Sequence, residues 1–225
     1  MIDKLEKRRK FLTDFANFVE PLEDVLFLRK YDVIEQSSVS DDIDLLVRPE
    51  VFKKLERFFQ SCAFKKRVDS HLVNVYLYGS RPHVHFINEE LDLHFDCISS
   101  IIHRSLHTTL LGDTIVNYWV PIDKTIQNLS YDGCVSRDTP FGRVRTLSNE
   151  VELVHILSHV ILDKKGIVDD YYRKRVVFLM RNSDQGEVLS LLELVFFRFS
   201  NALIRLVQDK KWGLIYENYI KFKRY

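Results

Sequence analysis

The chain has 225 residues, 46% of them hydrophobic, enough to bury a full core as one ordinary domain or as a small domain with an appendage. Lys and Arg number 33 against 32 Asp and Glu, and the resulting formal charge of +1 gives no sign of a general polyanion binder and disfavours nucleic acid as an obligatory partner. The cysteines Cys62, Cys97 and Cys134 are widely spaced with no C-x-x-C pair, which argues against a disulfide framework or a cysteine zinc site, and no apolar run approaches the roughly 18 residues of a membrane span.

Met1 to Lys10 carries charges with no apolar stretch behind them, so no signal peptide is read and a reducing cytoplasm fits the cysteine usage. Residues 4–20 read as an amphipathic helix with a stripe of Leu5, Phe11, Leu12, Phe15, Phe18 and Val19, stopped by Pro21. A buried strand over 24–31 and a polar loop over 32–41 lead to the strand Ile43–Val47. Pro49 then opens a helix to about Cys62 with Val51, Phe52, Leu55, Phe58 and Phe59 on its core face. Strands are predicted over 63–69, 71–78 and 83–87, with Gly79 to Pro82 as a turn, and Leu91 to Cys97 alternates strictly between apolar and polar residues. Residues 99–147 carry fewer signals: a strand over Ile115–Val120, turns at Gly112-Asp113 and Tyr131-Asp132-Gly133, and a surface turn at Pro140-Phe141-Gly142. From Ser148, a predicted N-cap, helices run to about Lys164, from Asp169 to Met180 and from Glu187 to Gln208, with a short last one around Trp212, Ile215, Tyr216 and Tyr219. The pattern is that of an α+β protein: a mixed sheet flanked by helices over 1–147, followed by a helical region over 148–225 packed on it.

The chemistry concentrates at Ser40-Asp41-Asp42-Ile43-Asp44. Alternation sends Asp42 and Asp44 to one strand face with Cα atoms about 7 Å apart, a spacing that lets both carboxylates lean onto Mg²⁺. Asp92, His94 and Asp96 share one face of the later strand, and if that strand lies beside Ile43–Val47, Asp92 becomes a third carboxylate. Three acids around one point repel each other unless a cation is present. His94 and Asp96, with His85 and Arg173, are the expected acceptor-facing residues. His83 and His85 alternate on one strand face and, with His94, could suggest a His-based metal centre, yet the sequence shows no fixed second shell for them, and zinc is disfavoured. His155 and His159 stand four apart without the glutamate of H-E-x-x-H and read as packing residues. Lys164, Lys165, Arg173 and Lys174 form a basic cluster for a triphosphate or anionic acceptor, or a solvated basic face.

With Ser40–Val47, Leu91–His94 and the helical Glu152–His159, the chain resembles the nucleotidyltransferase superfamily of polymerase-beta-like fold. It looks most similar to the uncharacterised bacterial nucleotidyltransferase-like proteins linked to surface polysaccharide assembly. The resemblance implies an NTP donor, Mg²⁺ or Mn²⁺ held by Asp42, Asp44 and Asp92, Asp92 as general base, and transfer of an NMP to a hydroxyl or phosphate acceptor such as a sugar or glycan. One departure stands out: the superfamily's Gly-Ser turn before the D-x-D strand is missing, and no glycine precedes Gly79. Arg29, Lys30, Ser37, Ser38 and Ser40 occupy that region. Arg29, Ser38 and Ser40, with Lys164 and Lys165, are therefore the expected phosphate contacts. The alternatives are a fold-retaining binder without catalysis and a toxin-like transferase acting on RNA or protein hydroxyls.

Overall fold

The computed structural model describes residues 2–36, 38–39, 41–68, 83–111 and 114–223. These group into two compact units, one of residues 1–101 and 131–147, the other of residues 102–130 and 148–225. The expected division at 147/148 thus differs for one segment, 102–130, which clusters with the C-terminal helices.

In the first unit, α1 (Ile2–Val19) and α2 (Pro49–Ser61) accompany β1 (Val25–Phe27), β2 (Ile43–Val47), β3 (Lys65–Val68), β4 (Val84–Asn88), β5 (Leu93–Ile98) and a hairpin of strands over 135–139 and 142–146. These strands make one mixed seven-stranded sheet. In spatial order it runs β3, β4, β5, β2, β1, then the 142–146 strand and the 135–139 strand. The β2–β5 pair is parallel, as is the contact of β1 with the 142–146 strand; the other pairs are antiparallel. Period-two alternation puts Ile43, Leu45, Val47, Phe86, Leu93, Phe95 and Cys97 into one apolar cluster with Phe11, Phe15, Leu55 and Phe59 of the two helices. Phe95 sits at the middle of it, with ring centroids 5.0 Å from Phe15 and 4.9 Å from Phe59. Burying such a side chain contributes about 2–3 kcal/mol. The same alternation turns Asp44, His85, His94 and Asp96 to the opposite face of the sheet.

The second unit contains a hairpin of β6 (Ile102–Leu111) and β7 (Thr114–Pro121), most of α3 (Lys124–Asp132), and the helices α4 (Asn149–Ser158), α5 (Asp170–Arg181), α6 (Gln185–Phe196), α7 (Ser200–Gln208) and α8 (Trp212–Lys223). Ser148 caps α4 by accepting from the Val151 amide at 3.3 Å. A π-helical turn, His159–Asp163, follows directly. Asp163 accepts from the Nδ1 atoms of His103 and His159, both at 2.9 Å, and from the Arg104 amide at 2.7 Å. Burial pushes its carboxyl up, but the two histidines prevail and hold it well below the usual range. Fully buried Glu152 pairs bidentately with Arg175 at 2.6 and 2.7 Å. No helix among the described residues is long and apolar enough to cross a membrane.

Several elements differ from expectation. The strand at 24–31 shortens to β1: the Leu28 amide still donates to the Asp44 carbonyl of β2 at 3.0 Å, but Lys30 turns to a φ of 58° and ends the extended run. The helix expected over 187–208 breaks at Phe197, whose φ of 52° ends α6 in a 3₁₀ turn. Pro140-Phe141-Gly142 is the expected turn, closing a hairpin with Pro140 exposed, but Phe141 is buried in the core. The strand expected over 71–78 and the Gly79 turn lie outside the described residues.

Gly142 has a φ of +138°, and a Cβ there would sit 2.9 Å from the Cβ of Ala16 on α1. Gly142→Ala is expected to destabilise the protein by about 2 kcal/mol in chemical denaturation. Gly213→Ala on α8 meets no atom within 4 Å. It is expected to be neutral or to stabilise by up to about 1 kcal/mol.

Candidate functional site

The parallel pairing of β2 with β5 sets Asp44 opposite Asp96, while Asp42 stands just before β2. One carboxylate oxygen from each of Asp42, Asp44 and Asp96 lies within 4.8 Å of the other two. Asp44 and Asp96 are 7% and 5% exposed, so this is a buried acidic group rather than a solvated strand end. Each of these two has one oxygen already engaged. Arg29 Nε donates to Asp44 Oδ2 at 2.6 Å, and His83 Nδ1 meets Asp96 Oδ2 at 2.7 Å. Asp96 Oδ1 is buried and has no hydrogen-bond partner among the described residues.

Burial is the largest influence on Asp44, followed by the opposing pull of Arg29 and then by repulsion from Asp42 and Asp96. The outcome is a pKa raised to about 6. A carboxylate held this close to protonation by burial, with like-charged neighbours adding to it, is a group that a divalent cation would relieve. The donors are all hard oxygens, which suits Mg²⁺ or Mn²⁺. Asp42, Asp44 and Asp96 are therefore the residues able to hold such an ion.

Histidines line the same sheet face. His85 Nδ1 lies 2.9 Å from His94 Nε2 and 3.7 Å from Asp96 Oδ1, and His94 Nδ1 lies 3.2 Å from the Val39 carbonyl. A carbonyl only accepts, so His94 carries its proton on Nδ1. Burial, then the neighbouring His85, lowers the His94 pKa and keeps the ring neutral. Its Nε2 therefore accepts, and His85 donates from Nδ1.

Asp92 is not part of the acidic group. It closes the turn Glu89–Asp92 with a φ of 56°, one residue before β5, so strand alternation does not reach it. Its Oδ1 accepts from the Val39 amide at 2.7 Å, and its carbonyl accepts from Arg8 at 3.0 Å. Asp92 thus ties the loop before β2 to the entry of β5, and Asp96 stands in the position expected of it. Arg29, expected at a phosphate, is 8% exposed and committed to Asp44. Ser38 donates to Asp41 at 3.3 Å, and Ser40 lies outside the described residues. Lys164 and Lys165 are exposed residues of the second unit, as is Arg173, which faces Asp170 at 3.6 Å. His155 and His159 are buried, and His159 goes to Asp163. The role of His83 on Asp96 was not read from the sequence; its alternation with His85 was the available signal.

No family model matches the chain, and no curated protein matches it. Among solved structures it is similar to the antibiotic-resistance factor ANT(2'')-Ia in solution, with a TM-score of 0.45 and 15% identity, over 92% of this chain and 96% of that one.

The raised Asp44 pKa sets a direction for stability in the absence of divalent cations. The folded protein holds this proton more tightly than the unfolded chain, so the contribution is fully present below about pH 4 and is lost as pH rises through about 6. The expected fall is on the order of 3 kcal/mol. Urea denaturation at a series of pH values should show the slope in the wild type and its loss in Asp44→Asn.

Proposed function

We propose that the chain is a divalent-cation-dependent nucleotidyltransferase that moves an NMP from an NTP to an acceptor hydroxyl, with Asp42, Asp44 and Asp96 as cation ligands. The observation that carries this reading is the convergence of three carboxylates, from β2, the residue before it and β5, to within 4.8 Å. A divalent cation held there supplies charge neutralisation of the triphosphate and polarisation of the α-phosphorus. Arg29 and His83 each hold the Oδ2 of one acid, orienting Asp44 and Asp96 while their second oxygens remain for the ion. In the reaction the acceptor oxygen bonds to the α-phosphorus and the bond from that phosphorus to the α–β bridging oxygen breaks. The electron pair leaves with pyrophosphate, and the hydroxyl proton is released to solvent. A sugar or glycan acceptor is supported by the resemblance to nucleotidyltransferase-like proteins of surface polysaccharide assembly.

A second reading, a binder that keeps the fold without transfer, is favoured by one feature. The loop before β2 has no glycine, and Arg29 and Ser38 are spent on Asp44 and Asp41 rather than offered to phosphate.

The deciding assay is cation-dependent pyrophosphate release with each NTP and a panel of sugar acceptors. Asp96→Asn is expected to lower the rate about a hundredfold or more, and Asp92→Asn to change it by less than about threefold. Equal losses in the two variants would reject Asp96 as the third ligand. No thermal stabilisation of the wild type by any NTP with Mg²⁺ or Mn²⁺ would favour the binder.

A further inference from the structure

Asp96 belongs to two groups of potential ligands: the acidic one and a second made with His83 and His85, whose ligating atoms also lie within 4.8 Å of one another. We propose that His83, His85 and Asp96 form a separate, nitrogen-containing cation position that takes a borderline divalent metal of the Zn²⁺ type and shares Asp96 with the carboxylate position. This extends the reading of Asp96 as a cation ligand given above.

The geometry is close to that of a bound ion. Ligand atoms around a tetrahedral zinc stand roughly 3.3 Å apart. Here His83 Nδ1 is 2.7 Å from Asp96 Oδ2 and His85 Nδ1 is 3.7 Å from Asp96 Oδ1, each within about half an ångström of that spacing, with the two rings on different oxygens of one carboxylate. The two imidazoles lie nearly parallel, at 29° with centroids 6.1 Å apart. Asp96 is 5% exposed, and its Oδ1 has no hydrogen-bond partner among the described residues. A buried carboxylate oxygen of this kind calls for a positive charge or a donor.

The donor sets also separate the two positions chemically. Three carboxylates select hard, oxygen-loving ions, whereas two imidazoles and one carboxylate select zinc, iron or cobalt over magnesium. Three protein ligands leave a fourth place for water or a substrate oxygen, as in zinc sites that do chemistry. Ligation through Nδ1 moves the ring proton of His83 and of His85 to Nε2, a change of tautomer without change of charge. His85 then gives up its hydrogen bond to His94, which its Val39 contact continues to orient.

The test is titration of the full-length chain with Zn²⁺ while following ¹⁵N resonances of the histidine rings. The expected result is that the His83 and His85 ring nitrogens shift together, saturating at one zinc, while His103 and His155 stay unmoved. Isothermal titration should show zinc affinity lowered about tenfold or more in Asp96→Asn and held within about threefold in Asp42→Asn. Silent His83 and His85 rings, or wild-type affinity in Asp96→Asn, would overturn the inference. Because the ring shifts are read on the wild type, a variant that misfolds leaves the test intact. Zinc at the rings without nucleotide binding in Mg²⁺ would keep this site and remove the transferase reading; nucleotide binding in Mg²⁺ with silent rings would do the reverse.

Discussion

The parallel register between β2 and β5 is the constraint on which the site depends. By setting Asp44 against Asp96 it brings together two buried acids from segments about fifty residues apart, and it does so with main-chain hydrogen bonds that are indifferent to the side chains they align. The electrostatic penalty of that alignment is met locally. Arg29, at the end of the segment leaving β1, and His83, just before β4, each donate to one acid. The neighbouring pairing of β4 with β5 sets His85 opposite Asp96 and so determines that imidazoles border the acids on that side.

Both faces of the central strands contribute. Leu45, Phe95 and Cys97 anchor one face in an aromatic cluster with Phe15 and Phe59, which fixes the rotation of each strand about its own axis. A slip of one residue in β5 would move Asp96 into that cluster and Phe95 among the acids. The apolar side therefore specifies the polar side, and the burial of phenylalanines acts as the restraint on carboxylate geometry.

Much of this was legible from local pattern. The α1 stripe, Pro49 at the start of α2, the Ser148 cap and the alternation through His94 and Asp96 are short-range signals, and the corresponding elements are present. The strand register was not, because it joins residues distant in sequence and no periodicity encodes it, and alternation alone does not tell which of Asp92 and Asp96 lies beside Asp44. The left-handed backbone of Asp92 is likewise invisible in an aspartate. In the β6–β7 hairpin the strand expected over Ile115–Val120 is present as β7, whereas β6 escaped because the register shifts between Arg104 and Thr108, which breaks the two-residue period. The interruption at Phe197 falls where apolar residues keep recurring at helical spacing on both sides, so the helical pattern reads straight through it.

Arg29 gives the acidic group a resident counter-charge. With its guanidinium fixed on Asp44, the group need not splay apart when no metal is bound, so little conformational entropy is left for an arriving ion to remove. A divalent ion arriving there would be limited by how readily it sheds its own water, which Mg²⁺ does more reluctantly than larger divalent ions.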